Sequence, residues 1–176
     1  IQVRVAENLL KLPPFSKLFF TNSGTEAVEG LLKLIKKWAL LNDKTEIIAF
    51  QGGFHGRTLG ALSVTIQEKY QKNFLPLLDG IRTVPYNDVK ALTDILSAKT
   101  AAVVYEGITG EGGIRSVDPE IIAALVHYRE KYGFLVIQDE IQSGVGRTGR
   151  FYHYEWLDII PDAIATAKAL GGGLPL

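Results

Sequence analysis

Residues 134–149, FLVIQDEIQSGVGRTG, and residues 163–176, AIATAKALGGGLPL, decide how this chain is read. Phe134 to Ile137 is a short apolar run of the kind found in a strand buried on both sides, and Gln138, Asp139 and Glu140 set carboxylates where that strand ends. In open α/β sheets the carboxyl ends of the strands are where ligands bind. Ala163 to Ala167 is again small and apolar, and Lys168 follows at once, ahead of three glycines. A lysine in such surroundings is expected to be buried and to lose water, which lowers its pKa and makes the amine a nucleophile toward carbonyls. On local grounds alone Asp139 and Lys168 are equally a structural ion pair, or Lys168 reaches back to solvent along its aliphatic stem.

Upstream, apolar runs alternate with helical patterns. Val3, Val5, Leu9, Leu10 and Leu12 predict a short helix ended by Pro13 and Pro14, and Leu18-Phe19-Phe20 predicts a brief strand. Thr21 to Ala27 then turns into a helix whose apolar face is predicted from Ala27, Leu31, Leu34, Ile35 and Trp38. Ser23, Gly24 and Thr25 stand at its start, where free N–H groups and the helix dipole favour a phosphate, although a plain N-cap explains them locally. Strands are predicted over 46–50, 81–84 and 101–105, the last ending at Glu106. Helices are predicted over 59–66, from the Asn87-Asp88 cap through Leu96, and from Asp118-Pro119 through Tyr128. Gln51 to Thr58 is a glycine-rich loop around Phe54 and His55, and Gly107 to Gly113 is a loop next to Glu106 that contains Glu111. This alternation predicts an α/β domain with a mainly parallel sheet flanked by helices on both faces.

Composition narrows the function classes. With 176 residues, 47% hydrophobic, the chain is long enough for one sizeable core. Its 19 basic and 19 acidic residues cancel, and without basic blocks the reading is no nucleic acid and no anionic membrane surface as partner. There is no cysteine, hence no disulfide framework or thiol chemistry, and no apolar run approaches the roughly 20 residues of a membrane span. The expectation is a cytoplasmic protein. No metal is expected, because the three histidines are not spaced with acids as ligands. Gly144 to Gly149 lacks the strand-to-helix spacing of a dinucleotide loop and the ending of a P-loop. Both ends read as cut.

The order Asp-Glu-x-Gln-Ser-Gly-x-Gly-Arg-Thr-Gly, then Pro-Asp, then Ala-Lys-Ala-Leu-Gly-Gly-Gly-Leu-Pro resembles the cofactor segment of class III aminotransferases, which depend on pyridoxal 5'-phosphate. Ser-Gly-Thr-Glu-Ala at 23–27, Phe-His-Gly-Arg-Thr at 54–58 and the loop after Glu106 resemble further segments of the same family. The resemblance implies the large domain of the aspartate-aminotransferase-like fold (fold type I), incomplete, over residues 18–176, with 1–17 leading into it. It implies that Lys168 forms the Schiff base with the cofactor and then moves the substrate proton, and that Asp139 pairs with the protonated pyridine nitrogen. Ser23, Gly24 and Thr25 would hold the phosphate, Phe54 and His55 would lie at the ring, and Gln142 would bond the ring hydroxyl oxygen. Glu106 and Glu111 would be on the substrate side, with Glu111 matching a glutamate that pairs with an arginine of the C-terminal domain. Gly107 and Thr109 depart from the proline and glutamine usual there. The implied reaction passes the terminal amino group of a small amino acid, N-acetylornithine first, to 2-oxoglutarate in a homodimer. 4-Aminobutyrate, ornithine and diamines are the alternative donors, and a non-catalytic fragment that only associates with other chains is the alternative of another kind.

Overall fold

The computed structural model describes residues 1–12 and 14–174. Pro13 of the expected helix stop, and Pro175 and Leu176 of the opening motif, lie outside them. In chain order the elements are α1 (Gln2–Leu9), α2 (Gly24–Leu41), β1 (Glu46–Phe50), α3 (Leu59–Val64), α4 (Glu68–Gln71), β2 (Ile81–Val84), α5 (Val89–Ile95), β3 (Thr100–Glu106), α6 (Pro119–Tyr132), β4 (Leu135–Asp139) and β5 (Ala163–Ala165). Single 3-10 turns occupy His153–Trp156 and Lys168–Gly171.

The strands form one five-stranded sheet in the order β2-β1-β3-β4-β5, every pairing parallel. Parallel neighbours need crossovers; helices lie in those linking β1 to β2, β2 to β3 and β3 to β4 and cover both faces, whereas the link from β4 to β5 carries only the 3-10 turn His153–Trp156. All seven residues of β3, the central strand, are buried. On one face Ile47, Ala49, Ala102, Val104, Ile137 and Ala165 pack against Val28, Leu32, Ile35 and Ala39 of α2 and against Ala61 and Val64 of α3. On the other, Ile48, Phe50, Val103, Tyr105 and Val136 pack against Leu92 and against Ile121, Ile122 and Leu125 of α6.

Three expectations need correction. Leu18-Phe19-Phe20 is not a strand: it pairs with no sheet edge, and the Phe19 side chain is 82% exposed. The buried stripe of α2 is Val28, Leu32, Ile35 and Ala39, rotated from the predicted one, and Leu34 is 51% exposed. Two apolar stripes run side by side on this helix, and contact with the sheet selects between them. Asp118 stands at the N-cap of α6, but its side chain makes no capping bond; Pro119 at the first position sets the helix start.

Candidate functional site

Strand register assembles the site. Glu106 is paired with Asp139, and Asp139 with Ala165, so the last residues of β3, β4 and β5 stand in one row at the carboxyl edge. Paired residues of parallel strands point to the same face, here the one covered by α2 and α3. Lys168 follows Ala165 by one short step, Gln142 follows Asp139, and the loop carrying Phe54 and His55 leaves the end of β1 on the same edge.

Asp139 is buried and both its oxygens are engaged. Oδ2 accepts from His55 Nδ1 at 2.7 Å, and Oδ1 accepts from the Ile141 N–H at 2.9 Å. His55 is 2% exposed, and its backbone N–H donates to Thr65 Oγ1 at 2.9 Å. Burial works against a charged imidazole, but the hydrogen bond and charge of Asp139, with Glu106 adding, outweigh it and hold the His55 pKa above its ordinary value of 6.5. The stabilisation from this raised pKa is complete below the unfolded-state value and is lost as pH rises through the folded one. We therefore expect an NMR titration of His55 with a midpoint above 6.5 that moves below 6.5 in Asp139→Asn, where burial dominates. A midpoint unmoved by that substitution would contradict the pairing.

Glu106 is buried beneath this edge. Its carboxylate accepts the Phe54 N–H at 3.0 Å and the Gly110 N–H at 3.2 Å, tying two loops to the end of β3, and burial pushes its pKa up. Both oxygens are therefore turned toward protein backbone. Phe54 is half-buried, its ring edge-to-face with Tyr70 at 5.5 Å between centroids. Glu111 is exposed on the loop after β3.

At the start of α2, Ser23 is the N-cap and its Oγ accepts the Glu26 N–H at 3.4 Å. The N–H groups of Gly24 and Thr25 lie in the first turn, where a helix supplies no acceptor. A Cβ on Gly24 would come to 2.9 Å from Ile141 Cδ1, so glycine lets this turn close onto the segment after Asp139. Thr25 Oγ1 contacts Thr58 Oγ1 at 3.1 Å. Gly56 has φ +130 and no room for a Cβ against Thr25 Oγ1. Helix start and glycine-rich loop are thereby latched together.

Lys168 differs from expectation. It is exposed, and no residue of its 3-10 turn is buried, so nothing strips water from the amine. Asp139 is paired with His55 rather than with Lys168. Lys168 Nζ donates to Gln142 Oε1. Its φ is +53, in the left-handed region that a lysine seldom adopts, and such outliers collect at functional sites.

Two features had no local signal. His55 and Asp139 are 84 residues apart in sequence. Glu29 lies on the helix face toward α3, and its Oε1 accepts from Thr58 Oγ1 at 2.6 Å, the Gly60 N–H at 2.9 Å and the Ala61 N–H at 3.1 Å, capping α3 and holding Thr58. Truncation in Glu29→Ala leaves these donors unmet at a cost of about 1 to 3 kcal/mol. The urea midpoint should fall accordingly at unchanged slope, with Glu29→Gln falling less; equal midpoints for wild type and Glu29→Ala would refute the capping role.

A family model described as aminotransferase class-III matches residues 1–176. The chain belongs to the class III aminotransferases. Acetylornithine aminotransferase of Clostridium acetobutylicum is 45% identical over 99% of this chain and 46% of its own length. That of Archaeoglobus fulgidus is 43% identical over 99% and 46%. Among solved structures, an ornithine aminotransferase from Toxoplasma gondii superposes with a TM-score of 0.91 at 29% identity, over 99% of this chain and 43% of that one. The chain thus spans about half the length of the curated family members it matches. Among the described residues no group of three or more His, Cys, Asp or Glu is placed to hold a metal ion, and no helix is long and apolar enough to cross a membrane.

Proposed function

We propose that this chain is the cofactor-binding part of a pyridoxal-phosphate-dependent aminotransferase that passes the terminal amino group of N-acetylornithine to 2-oxoglutarate. The observation that carries the reading is the row formed by Glu106, Asp139 and Ala165, with Asp139 buried against His55 and Lys168 just beyond Ala165 in a left-handed conformation. The donor set fits the cofactor. A buried carboxylate paired with a buried imidazole suits a pyridinium N–H, and a helix start with unmet N–H groups suits a phosphate dianion. When bound, pyridoxal phosphate supplies an electron sink for the charge left on the substrate carbon when a proton departs.

The chain's residues have distinct tasks in this reading. Asp139 would keep a proton on the ring nitrogen, and His55, bonded to its Oδ2, holds the carboxylate in one orientation. Ser23, Gly24 and Thr25 take the phosphate at the start of α2, and the Thr25–Thr58 contact sets that turn relative to the loop of Phe54. Phe54 offers a flat apolar face to the ring. Gln142, which accepts from Lys168 Nζ, would bond the ring hydroxyl oxygen. Lys168 Nζ would hold the cofactor, and the same amine would move the proton of the donor's amino-bearing carbon. Glu106 acts by fastening two loops rather than by touching substrate, whereas Glu111 is free to do so.

N-acetylornithine is placed first because the curated relatives at 41–45% identity carry that activity in their names. Residues 18–176 are read as part of the large domain, and the working unit as a cytoplasmic homodimer; the exposed Leu34, Leu40 and Leu41 of α2 are apolar surface that association would cover. The test is glutamate formation from 2-oxoglutarate by the full-length protein with N-acetylornithine, ornithine, 4-aminobutyrate or putrescine. N-acetylornithine is expected to give the highest kcat/KM. A higher value with another donor overturns the substrate assignment, and no glutamate with any donor overturns the activity.

A further inference from the structure

Gly107 and His153 occupy one space. A Cβ on Gly107 would overlap Nδ1 and Cε1 of His153, and both residues are buried. The imidazole of His153 therefore fills the place of the side chain that residue 107 lacks. It is also held from below: Gln138 Nε2 lies 3.4 Å from His153 Nδ1 and donates to Glu140 Oε1 at 2.9 Å, while Gln138 Oε1 accepts from Tyr105 at 2.7 Å. With its oxygen assigned to Tyr105, the Gln138 amide turns its nitrogen to His153, which must present Nδ1 as an acceptor. Glu140 takes the Tyr154 N–H at 2.8 Å and Ser143 Oγ at 2.7 Å, so the turn bearing His153 is itself fixed.

Gly107 is the root of a hairpin. Its carbonyl accepts the Val117 N–H at 2.9 Å, Ile108 bridges to Ser116, and Thr109 exchanges bonds with Arg115 at 2.9 and 3.1 Å. Glu111 stands at the tip. A hairpin pinned at its root transmits a small displacement there to its tip, and a glycine root has no side chain of its own to resist one.

We propose that His153 is a positioning residue, its imidazole standing in for the missing side chain at Gly107 and so setting where the hairpin presents Glu111 to the substrate. The substrate side of this inference rests on the function proposed above. Removing the ring in His153→Ala leaves the root held by Glu106, Tyr86 and Asn87 but with an empty space beside Gly107, and adding a methyl in Gly107→Ala drives it against the ring. Combining them lets the methyl occupy the emptied space. The other near neighbour of that methyl, Gln138 Nε2 at 2.8 Å, is the far end of a side chain that has lost its contact with His153 and needs to give only slightly while keeping its bonds to Tyr105 and Glu140.

The experiment is a double-mutant cycle in the full-length protein with pyridoxal phosphate. Each single variant should raise the KM for 2-oxoglutarate about fivefold with kcat held within about twofold, and the double variant should return to within about twofold of wild type. Trypsin cleavage after Arg115, within the hairpin, is followed in parallel and should be faster in His153→Ala and restored in the double variant. That second readout needs no catalysis: if no donor is turned over, the proposed function fails while cleavage still tests the contact. Additive changes in cleavage overturn the inference. So does a rescue of cleavage unaccompanied by rescue of KM in an active enzyme, since the pair would then support the fold without positioning Glu111.

Discussion

Replacing Lys168 by alanine in the full-length protein should abolish transamination, lowering kcat/KM by at least about 10⁴-fold, the upper range for loss of a general base, because in the proposed function the same amine would also hold the cofactor. Folding should be untouched. Lys168 is exposed in a turn with no buried residue, so no core contact is removed, and alanine brings the same Cβ to the left-handed position. An enzyme that melts like wild type yet is inactive is therefore the expected result. Lys168→Arg separates the roles further, since it keeps the charge beside Gln142 but presents no nucleophilic amine; it should be as inactive as alanine. Substantial turnover in either variant would remove Lys168 from the mechanism.

Asp139→Ala should cost activity by about 10³-fold, the scale for deleting one preorganised electrostatic partner of a developing charge. It should also cost stability, unlike the change at Lys168. His55 is left buried beside an apolar methyl, and breaking a buried charged pair costs about 3 to 5 kcal/mol, less whatever His55 recovers by giving up its proton. Asp139→Asn keeps the shape and the contact with His55 while removing the charge. The account predicts that Asn restores most of the melting temperature but little of the rate. A variant in which rate tracked stability would show Asp139 to be a structural residue alone.

Much of the fold was readable because its strands are short apolar runs and its helices carry apolar residues at helical spacing. Ala101 to Tyr105 announces a buried strand, and Asp88 caps α5 as expected, its Oδ1 accepting the Ala91 N–H at 2.9 Å. What failed depended on partners. Leu18-Phe19-Phe20 has strand-forming residues but no edge to pair with, and the stripe of α2 that faces the sheet is selected by Ile47, Ala49 and Val104, not by the helix's own pattern. For the site, the motif strings singled out Asp139, Lys168 and the start of α2, while the arrangement joining them is tertiary. The register that aligns Glu106, Asp139 and Ala165 exists only once three strands pair. The small residues before Lys168 indicated a buried amine because they do bury Ala165 and Ala167, but the chain turns outward immediately after them. The space that a side chain at Gly107 would need is taken by His153, distant in sequence and in contact only through the fold.

The central claim is that Lys168 and Asp139 hold and activate pyridoxal phosphate. The most direct measurement is the visible absorbance of the full-length protein with pyridoxal phosphate, before and after N-acetylornithine is added. The account predicts a protein-bound cofactor band that N-acetylornithine discharges, that is missing in Lys168→Ala and that persists undischarged in Asp139→Ala. A band equally strong without Lys168, or one that no amino donor alters, would contradict it.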